Sequence, residues 1–187
     1  MPIGQAKVGL LGNDIGKLEL IETKVVTSGS AVDFTAIKED IYNVHFLTWT
    51  WQNGGGTGDT DITLSNDGGS TFESSNYKEA WKYGYTTGQF NNVSSTSSAD
   101  MRVPADVIST GFSGGYVYFY NLGDSTKYSF ITFHTFSSLQ TSGFGDGFAY
   151  GGGVYTVTET IDGIRLTFGG GNTINDLKIS LYGIKDS

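Results

Sequence analysis

The sequence predicts an all-β fold: an antiparallel two-sheet jelly roll or similar sandwich, preceded by a short N-terminal arm. Three observations lead there. At least eight short stretches alternate apolar and polar residues, or run apolar, between turn signals. Strand-favouring aromatics are abundant, with 11 Tyr, 12 Phe and 3 Trp in 187 residues. Glycine reaches 28 against 2 prolines, with no Gly-X-Y period, which suits many turns and bulges. An aromatic content of 14% opposes a disordered low-complexity chain.

Residues 1–16 mix aliphatics with glycines and show no period, so they are read as an arm, and residues 17–187 as one sandwich domain. Residues 17–26 form the first long strand, with Leu18, Leu20 and Glu22 on one face and Glu19, Ile21 and Thr23 on the other. Ser28-Gly29-Ser30 turns the chain into a short return strand at Val32 and Phe34. Residues 42–51 are the clearest strand: Tyr42, Val44, Phe46, Thr48 and Thr50 share one face, and Asn43, His45, Leu47, Trp49 and Trp51 the other. A glycine-rich connection at 53–58 leads to a strand at 61–65 with Ile62 and Leu64 inward, then to an Asx/Gly turn at 66–70. Trp81, Tyr83 and Tyr85 alternate as in a strand, with a helical turn conceivable at 78–80. Residues 91–98 read as a polar loop, and Met101, Val103, Val107 and Ile108 as a return to apolar character broken by Pro104.

The aromatic run 116–120 and the alternation Tyr128, Phe130, Thr132, His134, Phe136 predict a hairpin with a longer loop. Strands at 154–158, 163–168 and 177–183 complete the set, and Asp162-Gly163 reads as a hairpin turn. Gly151-Gly152-Gly153 and Gly169-Gly170-Gly171 read as bends between strands.

Charge narrows the function. The chain carries 11 Lys and Arg against 19 Asp and Glu, net −8. The basic residues are scattered and only Arg102 and Arg165 are arginines, which argues against nucleic acid as a partner. No apolar run approaches the length of a bilayer span, and residues 1–7 lack the pattern of a secretion signal, so a soluble protein without a membrane partner is expected. With no cysteine, disulfides, zinc–thiolate sites and cysteine nucleophiles are excluded.

Catalytic signals are weak. His45 and His134 sit in alternating strands, and no Gly-x-Ser-x-Gly elbow is present. Asp59, Asp61, Asn66 and Asp67 are oxygen-rich, but lack the order and terminal glutamate of a calcium loop, and turn chemistry explains them. Asp124, Asp146 and Asp162 each adjoin Gly or Ser as turn formers do. Neither glycine triplet is followed by Lys-Ser/Thr and a helix. The expectation is therefore no enzyme, no metal and no cofactor. Trp49, Trp51, Trp81 and Tyr83 are the candidates for stacking on a sugar ring, against the alternative that they pack the core.

The C-terminal run Leu177-Lys178-Ile179-Ser180-Leu181-Tyr182-Gly183-Ile184-Lys185 resembles the closing strand of a broad group of small bacteriophage virion proteins. Ile62-Thr63-Leu64-Ser65-Asn66-Asp67-Gly68-Gly69, with the following Tyr77, is similar to that group's strand, turn and tyrosine. Gly163-Ile164-Arg165-Leu166-Thr167-Phe168 is similar to its penultimate strand. The likeness covers residues 17–187. Where members carry Arg-Phe-Asn before the turn, this chain has Leu64-Ser65-Asn66, so no role of that arginine transfers.

The resemblance implies a jelly-roll-like virion component of capsid decoration (cement), head-fibre or tail-tip type, without catalytic residues. A decoration protein would sit on the outer surface of the particle as a homo-oligomer, a trimer, bound to the major capsid protein or other virion proteins. Its contacts would include Pro2, Ile3, Val8, Leu10, Leu11 and Ile15 of the arm. Read as a stand-alone chain, its shortness favours this over the alternative, a tail or fibre protein recognising a cell-surface glycan through loops at 54–58 and 91–98 and the aromatics.

Overall fold

The computed structural model describes residues 17–53, 60–104, 111–138, 146–169 and 174–185. Among them are twelve strands and no helix. In chain order they are β1 (Leu18–Val26), β2 (Ala31–Phe34), β3 (Val44–Asn53), β4 (Thr60–Ser65), β5 (Tyr77–Tyr85), β6 (Phe90–Ser98), β7 (Met101–Arg102), β8 (Phe112–Tyr120), β9 (Ser129–Ser138), β10 (Asp146–Tyr155), β11 (Gly163–Phe168) and β12 (Ile174–Ile184). One sheet has eight strands, ordered β1-β12-β3-β8-β9-β10-β5-β6, and the other four, ordered β2-β11-β4-β7. Every pairing is antiparallel. The expected all-β sandwich is the fold.

The core lies between the sheets. β3 contributes Leu47, Trp49 and Trp51, β8 Val117 and Phe119, β9 Ile131 and Phe133, and β12 Leu177, Ile179 and Leu181. The small sheet answers with Val32, Phe34, Ile62, Leu64, Ile164, Leu166 and Phe168. Trp51 meets Phe168 across the gap, ring centroids 4.6 Å apart. Tyr77 ties the layers polarly: its hydroxyl accepts the Leu64 N–H of β4 at 2.9 Å and donates to the Glu73 carbonyl. Burial pushes that phenol far above its usual range. Within the small sheet Arg165 of β11 forks onto Asp33 of β2 at 2.6 and 2.7 Å and lies over the Phe72 ring.

Four expectations are corrected. Residues 91–98 are not a loop but most of β6. Its place at the sheet edge exposes most of its side chains, so a polar sequence suffices for pairing with β5, and Val93 alone packs on the core. Residues 78–80 are strand, paired with Gly152, Gly153 and Val154 of β10. Gly151-Gly152-Gly153 is not a bend but lies inside β10, which begins at Asp146 and ends at Tyr155. A Cβ at Gly151 would meet Trp81 Cβ and stand 2.6 Å from the Ala80 carbonyl oxygen, so glycine there permits close strand approach. Asp162-Gly163 joins no hairpin, because β10 and β11 belong to different sheets. Instead Asp162 donates its N–H to the Ser65 carbonyl and accepts the Gly68 N–H, bracing the 66–70 turn. Gly170 and Gly171 lie outside the described residues.

The first strand also differs in detail. A bulge between Leu20 and Glu22 shifts its register on β12, so Leu18 and Leu20 share a face with Thr23 and Val25 and not with Glu22.

His45 is fully buried, with Nε2 2.9 Å from the Ile37 carbonyl oxygen. As the neutral tautomer protonated at Nε2 it donates to that carbonyl. Burial holds its pKa below the ordinary histidine value. The unfolded chain therefore takes up this proton at higher pH than the folded one, so the neutral state favours folding above about pH 6.5 and that advantage is lost as pH falls below it. The urea midpoint is expected to fall between about pH 7 and 5, above the carboxylate range. His45→Gln, which keeps an N–H for Ile37 and does not titrate, is expected to flatten that limb.

Candidate functional site

Antiparallel sheets that face water on one side usually alternate apolar inside with polar outside. The eight-stranded sheet does not. Of the eleven large apolar side chains exposed among the described residues, nine stand on its outer face: Leu18, Leu20, Val25, Phe90, Phe112, Tyr116, Phe130, Phe136 and Tyr150. The other two, Ile41 and Tyr128, lie in loops.

The strand registers place these residues in rows. One row runs Ser180, Thr48, Tyr116, His134, Tyr150, Lys82 from β12 to β5. The next runs Tyr182, Phe46, Tyr118, Thr132, Gly152, Ala80. Ring contacts join the rows into one aromatic field. Phe46 meets Tyr118 at 4.9 Å, Tyr116 at 5.9 Å and Tyr182 at 6.1 Å, and His134 meets Tyr116 and Tyr150 at 6.0 and 6.2 Å. These separations lie in the favourable range for aromatic pairs.

The face is not level. Its β12-β3-β8 side is built up by Tyr182, Phe46, Tyr116, Tyr118 and Tyr120. On the β10-β5 side Gly152 and Ala80 leave two shallow depressions of about 380 and 370 Å³, bordered by Lys78, Phe130 and Val154 and by Lys82, Asn92 and Tyr150. A third, about 340 Å³, opens beside Phe136 between Thr48, Thr50 and Tyr116. The charges are sparse and, away from the strand ends, all positive. Outward strand positions carry Lys78, Lys82 and Lys178, and carboxylates only at the strand ends, Asp146 and Asp176.

A second concavity lies on the inner side, where the four-stranded sheet leaves β5, β6 and β10 uncovered. Trp81, Tyr83, Tyr85, Val93, Arg102 and Ser137 line a cleft of about 250 Å³. Its rings follow one another along β5, Trp81 to Tyr83 at 5.6 Å and Tyr83 to Tyr85 at 5.4 Å. Arg102 is fixed at the cleft wall by Asp61, 3.7 Å away, and by its own N–H on Glu79.

Two of the tryptophans expected to stack on a sugar are corrected by their burial. Trp49 and Trp51 are 2% and 1% exposed, because their side of β3 is the inner side, so neither ring offers a free face. Trp81, 8% exposed, borders the cleft but packs mainly in the core. Tyr83 is half-buried at the same cleft. Pro2, Ile3, Val8, Leu10, Leu11 and Ile15 lie outside the described residues, as do Asp59 and the loop at 54–58.

Asp67 accepts hydrogen bonds from Thr71 N–H, Thr71 Oγ1 and Ser65, which hold its carboxyl below the usual range. Asp124 is lowered likewise by Lys127 and Thr126. Among the described residues no three metal-ligating side chains come together. The outer face was legible in part: Tyr116, Tyr118 and Tyr120 alternate with Val117 and Phe119, a strand apolar on both sides.

No family model and no curated protein matches the chain. Among solved structures it is similar to a chain in a structure of infectious bursal disease virus Gt strain, at 8% identity and a TM-score of 0.12. The match covers 92% of this chain and 39% of that one, and likeness at that score carries no argument.

If the outer rings serve a partner and not the fold, removing them costs little. Tyr116→Ser with Tyr150→Ser is expected to lower stability by no more than about 1 kcal/mol in dilute urea titrations, whereas Trp51→Ala costs about 3–5 kcal/mol.

Proposed function

We propose that this chain is a structural protein of a bacteriophage virion, a capsid decoration (cement) protein that binds the outer capsid surface and stabilises the head without turning over a substrate. The observation that carries this reading, by marking the chain as a component of a protein assembly, is the outer face of the eight-stranded sheet. Aromatic and aliphatic side chains cover it, and charge is confined to a few lysines and the strand ends. Enrichment in Tyr and Phe with depletion of charge is the composition of a protein–protein interface core, and contiguous exposed apolar surface marks a face made to be covered. The resemblance of the closing strand to small phage virion proteins supplies the setting. Part of the capsid contact is assigned to Pro2, Ile3, Val8, Leu10, Leu11 and Ile15.

Co-sedimentation with tail-less mature capsids tests this. The full chain is expected to bind saturably, and Leu10→Asp with Leu11→Asp to weaken binding about tenfold, the loss of two buried leucines more than sufficing for that. Absence of binding by the full chain would remove the decoration reading.

One observation favours a second reading, recognition of a cell-surface glycan. In the inner cleft the partly open Tyr83 and Tyr85 rings stand beside the hydrogen-bonding Arg102 and Ser137, the pairing of stacking platform and polar group that a sugar needs. Tyr83→Ala is then expected to abolish binding of the chain to host cells and to spare capsid binding. A full chain that ignores host cells would dismiss this reading.

A further inference from the structure

The outer face differs between its two halves in a way that identifies what covers it. Along the row Tyr182, Phe46, Tyr118, Thr132, Gly152, Ala80 relief rises on β12, β3 and β8 and sinks on β10 and β5, and in the next row the small Thr48 on β3 answers the large Tyr150 on β10. A surface with knobs on one half and hollows on the other is self-complementary under one operation, a two-fold axis in the plane of the face and parallel to the strands. The axis runs between β8 and β9, the middle of the eight-strand order. It lays β3 of one copy over β10 of the other, and β12 over β5. Phe46 then stands over Gly152 of the second copy, Thr48 over Tyr150 and Tyr182 over Ala80, each large residue over a small one. We infer that the outer face of the eight-stranded sheet is the contact between two copies of this chain, packed face to face about that axis.

Charge points the same way. Each copy carries net −8, so any approach of two copies meets repulsion. The central rows of this face carry no carboxylate, which lowers that repulsion here. The axis also brings Lys78 and Lys82 over β12 of the second copy, on either side of Tyr182, whose ring can face a cation.

The area is sufficient. Eight strands at about 4.8 Å, each with an outward stretch of about 23 Å, give a face of about 900 Å², against the roughly 800 Å² per partner of a stable interface. Two twisted sheets pack with their strands about 30° apart, so the rows meet best near the axis and diverge towards β1 and β6. The contact is two-fold, and so distinct from the threefold association that the family resemblance implies. It rests on the reading that the outer face is covered, and leaves the rest of the surface for a capsid.

The native chain has no cysteine, which makes the geometry directly testable. Thr48→Cys and Tyr150→Cys are prepared as separate full-length variants, one tagged. They are mixed and treated with a bismaleimide of about 8 Å reach. Three strands separate these sites from their own symmetry mates, about 14 Å, so the mixed product is expected to form at least tenfold faster than either homodimer. Sedimentation equilibrium on the unmodified chain is expected to give a dimer. Ala80→Arg, which fills both depressions from an exposed position, is expected to raise the dissociation constant at least tenfold, and Ala80→Ser to leave it in place. A folded monomer at every concentration overturns the inference, as does cross-linking of Thr48→Cys to itself as fast as to Tyr150→Cys. The capsid experiment reads separately: a dimer that ignores capsids removes only the decoration reading, and a monomer that binds them removes only this one.

Discussion

The register of β3, held between β12 and β8, decides which residue faces where across the large sheet. It sets His45, Leu47, Trp49 and Trp51 inward against the small sheet, and Phe46, Thr48 and Thr50 outward. A slip of one residue would exchange the two sets and put three large rings into solvent and two threonines into the core. The Trp51–Phe168 contact across the layers opposes that slip, and Tyr77 between Leu64 and Glu73 fixes the other end of the sandwich. Everything on the outer face inherits its position from this inner registration.

Much of the fold was legible because period-two alternation survives wherever one face is buried and the other is not. The strands at 17–26, 61–65, 116–120, 128–136 and 163–168 each correspond to an observed strand, and the β8–β9 hairpin pairs as expected. The failures have physical causes. β6 is an edge strand whose residues face water on most sides, so no alternation marks it. β10 carries three glycines because Trp81 and Ala80 crowd it, and glycine in sequence looks the same whether it bends a chain or lets two strands approach. Asp162-Gly163 has the letters of a hairpin turn, but the chain there changes sheet.

The functional surface was harder to read for a related reason. An aromatic on a strand is most often core, and Trp49 and Trp51 are. The tyrosines and phenylalanines that remain outside are distinguished from them only by parity along the strand and by which side the second sheet occupies. Parity was visible in sequence. The position of the second sheet was not, because β2, β4, β7 and β11 are brought together from four distant stretches of chain.

The place of β12 has a consequence for how the molecule comes into being. Of the twelve strands it is the last to leave the ribosome, yet it lies inside the sheet, hydrogen-bonded to β1 on one side and to β3 on the other. Until it emerges, β3 has a bare edge and β1 has no partner in the sheet. Until β12 emerges the nascent protein thus holds open a slot between β1 and β3. Such long-range closure is slow, and an unfilled slot flanked by apolar strands invites the wrong strand. Cells making many copies at once would meet that hazard in every copy whose β12 had yet to emerge.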